Sequence, residues 1–156
     1  MGYIREYIER IIHLTENDWS VISSYFVKRT MCKNQKLIKA GETEKYLSFV
    51  EEGVLRYYIP GVEKELTFGF SFEKEFACAY DSFLTQTPSE YELEALTSSV
   101  IWCISYDDLQ EVYTHTQTGN YWGRVAAERL YLYKSKREIS LLKYSAKERY
   151  SSLLKE

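Results

Sequence analysis

The apolar residues of this chain change their spacing twice, and the second change constrains the fold most. Up to about Phe26 they recur every three or four residues, and from about Leu37 every second residue. From about Gly119 to Lys143 helical spacing holds with no proline and, after Gly123, no other breaker. A helix of that length is about 37 Å long at about 1.5 Å per residue, well beyond the mean of about 11–12 residues. Trp122, Val125, Ala126, Leu130, Leu132, Tyr133 and Ile139 carry more apolar surface than one narrow stripe holds. Packing against the same helix of a second copy is the simplest way to cover it. The expected homodimer contacts are therefore Trp122, Val125, Ala126, Arg129, Leu130, Leu132, Tyr133 and Ile139.

The segments before this helix read as a β-core entered through two helices. Ile4, Tyr7, Ile8, Ile11 and Ile12 have helical spacing. Thr15 offers an N-cap with Asp18 three residues on, as in a capping box with Asp in place of Glu. Trp19, Ile22 and Phe26 form the apolar stripe of the second helix. Leu47 and Phe49, then Leu55, Tyr57 and Ile59, then Leu66, Phe68 and Phe70 alternate with their neighbours, with turn signals at Gly53 and at Pro60-Gly61. Asp81 to Pro88 reads as a small helix or loop. Tyr91, Leu93 and Ala95 alternate with Glu90, Glu92 and Glu94, which predicts a half-buried strand with an acidic outer face. Val100 to Ile104 predicts a fully buried strand, and Ser105 a helix cap with Asp107 and Asp108 near the N-terminal dipole. The expected fold is mainly β with helices (α+β), a roll of short strands.

With 156 residues and 45% hydrophobic content, one domain with a helical appendage is expected. The net charge of -3 gives no overall basic footprint of the kind a free-standing DNA binder carries. The basic run Lys134-Ser135-Lys136-Arg137 reads as a solvated helix face. The opening residues have no apolar signal-peptide core, and no stretch approaches a membrane span, so no membrane partner is expected. Cys32, Cys78 and Cys103 are odd in number and scattered, which fits a reducing, cytoplasmic setting and gives no metal-ligand spacing. No nucleophile elbow, phosphate-cradling glycine loop or paired histidines occur; His13 and His115 are far apart and neither is in a predicted strand. No enzyme, metal or cofactor is expected on these grounds. Gly119 and Gly123 read as a helix start. At Ser145 a capping box with Glu148 starts a new helix.

This order resembles the Crp/Fnr family of bacterial transcription regulators, in the divergent branch common in Bacteroidetes. The likeness is carried by Leu37-Ile38-Lys39-Ala40-Gly41-Glu42, Glu52-Gly53-Val54-Leu55-Arg56, Phe76 to Leu96, Ile104-Ser105-Tyr106 and Ser145 to Tyr150. It implies a cyclic-nucleotide-binding-type β-roll (jelly roll) with N-terminal helices over 1–117, a long dimerisation helix over 118–144, and the start of a winged helix-turn-helix over 145–156. DNA contact would then fall to a C-terminal domain absent from this chain. The family's nucleotide-holding Gly-Glu pair falls at Cys78 and Ala79, its phosphate-neutralising Arg at Ser89 beside Glu90, and its adenine-reading positions at Leu132 and Tyr133. Cyclic AMP binding is therefore not expected. Phe76, Cys78, Ala79, Tyr80, Ser89, Glu90, Tyr91, Leu132 and Tyr133 are the candidate ligand residues. They either fill the core or line an aromatic pocket for an unknown small-molecule effector. A stand-alone ligand-binding or dimerisation module fits the same features.

Overall fold

The computed structural model describes residues 1–153. Among these, eight strands form two four-stranded antiparallel sheets. β1 (Val27–Met31), β8 (Ser99–Ser105), β3 (Tyr46–Glu52) and β6 (Phe76–Ala77) lie side by side in the first. β2 (Lys36–Ile38), β7 (Glu92–Ala95), β4 (Leu55–Ile59) and β5 (Leu66–Ser71) form the second. Both sheets contribute to an inner core that includes Val50, Leu55, Leu93, Ala95, Ile101 and Cys103.

A second core lies outside the first sheet. Ile4 and Ile8 of α1 (Gly2–Glu9), Ile22 of α2 (Glu16–Ser24), and Leu109 and Val112 of α4 (Tyr106–His115) pack there against Phe49 and Ile104. β3 is therefore covered on both faces, and Ser48, Phe49 and Val50 are all buried instead of alternating. The short helix α3 (Tyr80–Thr85) joins β6 to β7. The long helix α5 (Gly119–Lys143) and then α6 (Ala146–Leu153) follow α4. The capping box at the start of α6 forms in both directions: Ser145 N–H donates to Glu148 at 2.8 Å and Glu148 N–H to Ser145 Oγ at 3.3 Å. Ser105 likewise caps α4, accepting from Asp108 N–H at 3.1 Å.

Several sequence expectations are corrected. β1 gave no signal because four of its five residues are exposed. The cap of α2 is only half a box. Thr15 Oγ1 accepts from Asp18 N–H at 3.1 Å, but the buried Asp18 carboxylate turns to the α4–α5 corner, accepting from Gln117 N–H at 3.3 Å and Thr118 Oγ1 at 2.8 Å. On β5 a bulge opposite Tyr57 and Tyr58 breaks the alternation, so Leu66 and Phe70 are exposed and Phe68 is half-buried.

The acidic face of β7 is not an outer face. Glu92 and Glu94 are buried, with Glu92 bonded to Lys36 and to Tyr58 Oη, and Glu94 to Arg56 Nε at 2.7 Å. Burial works to raise the Glu92 carboxyl, but the Lys36 ammonium and the Tyr58 hydroxyl outweigh it and hold it below its usual value of 4.5. A carboxyl depressed by folding stabilises the fold above its unfolded pKa and loses that contribution as pH falls through the folded one. The melting temperature is expected to fall as pH drops below 4.5, and to fall less steeply in Glu92→Gln. Thermal melts of both proteins across that range check it; equal slopes would remove Glu92 from the acid response.

The pair Gly119 and Gly123 does more than start α5. A Cβ at Gly119 would lie 2.4 Å from the Val112 carbonyl oxygen, and one at Gly123 would lie 2.7 Å from the Tyr113 ring. Their missing side chains let α5 pass this close to α4 and set where the long helix leaves the roll.

Candidate functional site

α5 leaves the roll along the side where β5, β6 and α3 meet, and a cavity of about 570 Å³ lies between them. Aromatic side chains make most of its wall. Phe68 meets Tyr91 edge-on at 5.1 Å, with Tyr57 at 6.0 Å from Phe68. Phe76 links this group to the second core, at 5.2 Å from Tyr7 and 6.2 Å from Trp122. Tyr80 and Tyr113 complete the aromatic wall. Burial pushes the phenols of Tyr7, Tyr57, Tyr80, Tyr91 and Tyr113 upward, so they are neutral at pH 7. The lining charges are Glu75 from the roll and Arg129, Lys134 and Arg137 from α5.

The polar groups of the roll near this cavity are already engaged. Ser71 Oγ donates to the Phe76 carbonyl at 3.2 Å, so Tyr57 Oη donates to Ser71 at 3.0 Å and accepts from Cys78 N–H at 3.3 Å. Ala79 N–H points to the buried Glu44 carboxylate at 3.5 Å. Ser89 Oγ donates to the Tyr91 carbonyl at 2.8 Å, and its own backbone N–H donates to the Glu42 carbonyl at 2.9 Å. Tyr91 Oη donates to Asp81 at 2.5 Å. Burial pushes the Cys78 thiol well up, which keeps it protonated and a poor nucleophile.

Of the nine candidate ligand residues, five line the cavity: Phe76, Cys78, Tyr80, Tyr91 and Tyr133. Ala79 and Ser89 are buried beside it in the α3 segment, and Glu90 is exposed. Leu132 lies on the other side of α5, 57% exposed, beside Ala127, Glu128 and Tyr131. Sequence reasoning missed Tyr57, Phe68, Arg129 and Arg137 as cavity residues. Arg137 Nη2 donates to the Phe68 carbonyl at 3.0 Å, so the basic run is not simply a solvated face.

The expected dimer contacts also divide. Trp122 is 3% exposed and belongs to the second core, so it is not a free contact surface. Ala126, Arg129, Leu130 and Tyr133 line the cavity. At about 100° per residue, Leu132 and Ile139 turn away from this face, whereas Val125, four residues before Arg129, lies at its edge. Val125, Leu132 and Ile139 recur every seven residues, and Glu128, Ser135 and Leu142 recur every seven between them. The first register is apolar throughout; the second has polar Glu128 and Ser135 before Leu142, so only the C-terminal part of the helix has apolar residues in both registers. Leu132, Ile139 and Leu142 are exposed, as is Tyr131.

The family model described as the cyclic nucleotide-binding domain matches residues 28–116. The chain belongs to the cyclic nucleotide-binding domain family. No curated protein sequence matches it. Solved structures share the fold of this family member at low identity. A cyclic nucleotide-binding domain from Methylobacillus flagellatus superposes with TM-score 0.77 at 13% identity, covering 93% of this chain and 84% of that one. The Thermus thermophilus catabolite activator protein gives 0.68 at 17% identity over 83% of this chain, which spans only 60% of that protein. The sensor domain of the transcriptional regulator DNR from Pseudomonas aeruginosa gives 0.66 at 12% identity, covering 93% and 92%. Among the described residues, no helix is long and apolar enough to cross a membrane, and no group of three His, Cys, Asp or Glu side chains is placed to hold a metal ion.

Proposed function

We propose that this chain is the effector-sensing and dimerising part of a Crp/Fnr-type transcription regulator, and that its effector is not cyclic AMP. The observation that carries the second half is the state of the donors around α3. Cys78 N–H is taken by Tyr57, Ala79 N–H faces Glu44, and Ser89 stands where the resemblance puts an arginine, its hydroxyl turned back on Tyr91. The roll contributes no cation to the described lining of the cavity, and the exposed Glu90 follows Ser89. Hydrogen bonds to charged groups are worth about 1.5–3 kcal/mol each, and each 1.4 kcal/mol is about tenfold in affinity.

The regulatory half rests on α5. One side of the helix closes the cavity and the other exposes Leu132, Ile139 and Leu142. A ligand that shifts the helix on the roll would shift it in the dimer as well, which is the coupling a sensor needs. DNA contact is assigned to a winged helix-turn-helix beginning at the capped α6 and continuing outside this chain. The full length of the Thermus catabolite activator protein, of which this chain spans 60%, leaves room for such a domain.

Calorimetric titration with cyclic AMP and cyclic GMP tests the effector assignment. No heat of binding is expected from either nucleotide at concentrations up to about 1 mM, a standard free energy near −4.1 kcal/mol. Micromolar binding would show that the roll keeps a phosphate site and would overturn the proposal.

A further inference from the structure

Arg129, Lys134 and Arg137 all line the cavity from α5, and among the described residues none has a carboxylate within 4.0 Å. Elsewhere on the chain Arg56 is paired with Glu65 and Glu94, Arg5 is paired with Glu9 and Glu16, and Arg29 lies over the Tyr46 ring. Arg137 makes one hydrogen bond, to the Phe68 carbonyl. The guanidinium of Arg129 donates to no group among the described residues. These three cations outnumber Glu75, the one lining carboxylate, so the cavity is positive on balance along α5 and mostly aromatic along the roll.

We infer that the cavity binds a small organic acid with an apolar, preferably aromatic, body. The acid group meets Arg129, and the body lies among Phe76, Tyr80, Tyr91 and Trp122. The inference deepens the proposed function and rests on its reading of the cavity as the effector site. The anion is held from the long helix and not from the α3 segment, so an acid reports directly on the element that carries the dimer seam. Arg129 suits the role because its planar fork binds a carboxylate or sulfonate through two parallel hydrogen bonds. The cavity's size falls in the range of about 300–1,000 Å³ common for small-molecule sites.

Two fluorescent probes that share one body separate the charge from the cavity: 1-anilinonaphthalene-8-sulfonate and its neutral parent, N-phenyl-1-naphthylamine. Both are expected to bind the 156-residue chain, the sulfonate about tenfold more tightly or better, a difference near 1.4 kcal/mol. In Arg129→Gln the sulfonate loses that advantage while the neutral amine binds as before. In Ala126→Phe, which fills the cavity from α5, both probes lose binding. Near-ultraviolet circular dichroism of each variant shows that its tertiary packing is kept. Equal affinities for the two probes, or a sulfonate affinity unchanged in Arg129→Gln, would overturn the inference and leave the cavity reading intact. Binding of both probes unaffected by Ala126→Phe would instead remove the cavity as the ligand site, and with it the reading on which the inference rests.

Discussion

Replacing Leu132 and Ile139 together with Asp leaves the chain folded and monomeric. The two side chains are 57% and 56% exposed in the single chain, so roughly half of each remains to be buried at an interface. Burial of a whole Leu or Ile is worth about 1.5–3 kcal/mol, so that half is worth about 1 kcal/mol. Across a two-fold axis each substitution counts twice, and four lost contacts amount to about 4 kcal/mol, nearly a thousandfold in dimer affinity. Two charges facing their own copies add to the loss. Folding is spared because neither side chain belongs to either core. Light scattering reads the mass and a thermal melt reads the fold. A variant that remains dimeric would place the interface elsewhere.

Trp122→Ala has the opposite outcome: it destabilises the fold by about 3–5 kcal/mol, the usual cost of removing a buried Trp or Phe side chain. That is a large part of the roughly 5–15 kcal/mol that holds a domain folded. Trp122 joins Phe76 and the second core to α5, so its loss also loosens the helix on the roll. Trp122→Phe keeps most of the apolar volume. It also removes an indole N–H that has no partner among the described residues, so it costs much less. Urea denaturation gives both values. Equal losses in the two variants would mean that the indole N–H is satisfied and contributes. A small loss in Trp122→Ala would take Trp122 out of the core.

Leu132, Ile139 and Trp122 show where the sequence could be read and where it could not. The span of α5, the capped starts of α2, α4 and α6, and the turns at Gly53 and Pro60-Gly61 rest on local chemistry and were legible. The division of α5 into two faces was not. Trp122, Ala126 and Leu130 on one side and Leu132 and Ile139 on the other are equally apolar, and only the packing against the roll tells them apart. The seven-residue recurrence of Val125, Leu132 and Ile139 was the available signal. The acidic alternation of β7 misled for a related reason. Glu92 and Glu94 look solvated in one dimension, but Lys36 and Arg56, from strands on either side of β7, cover them. The cavity cations were hidden in the same way. Arg129, Tyr133 and Arg137 are spaced four apart, which puts them on one face, but the sequence does not say that the face looks onto Phe68 and Tyr91. The resemblance located the α3 segment. It could not show that the donors there are consumed by Tyr57 and Glu44, which come from β4 and the β2–β3 connection.

In the proposed sensor one helix faces the cavity on one side and its own copy on the other. A cysteine cross-linking scan along α5, in a background with the exposed Cys32 replaced by Ser, tests it most directly. Single cysteines at Leu132, Ile139 and Leu142 are expected to form intermolecular disulfides under mild oxidation, and those at Ala126, Leu130 and Tyr133 are not. Cross-links at the second set, or uniform reactivity along the helix, would contradict the account.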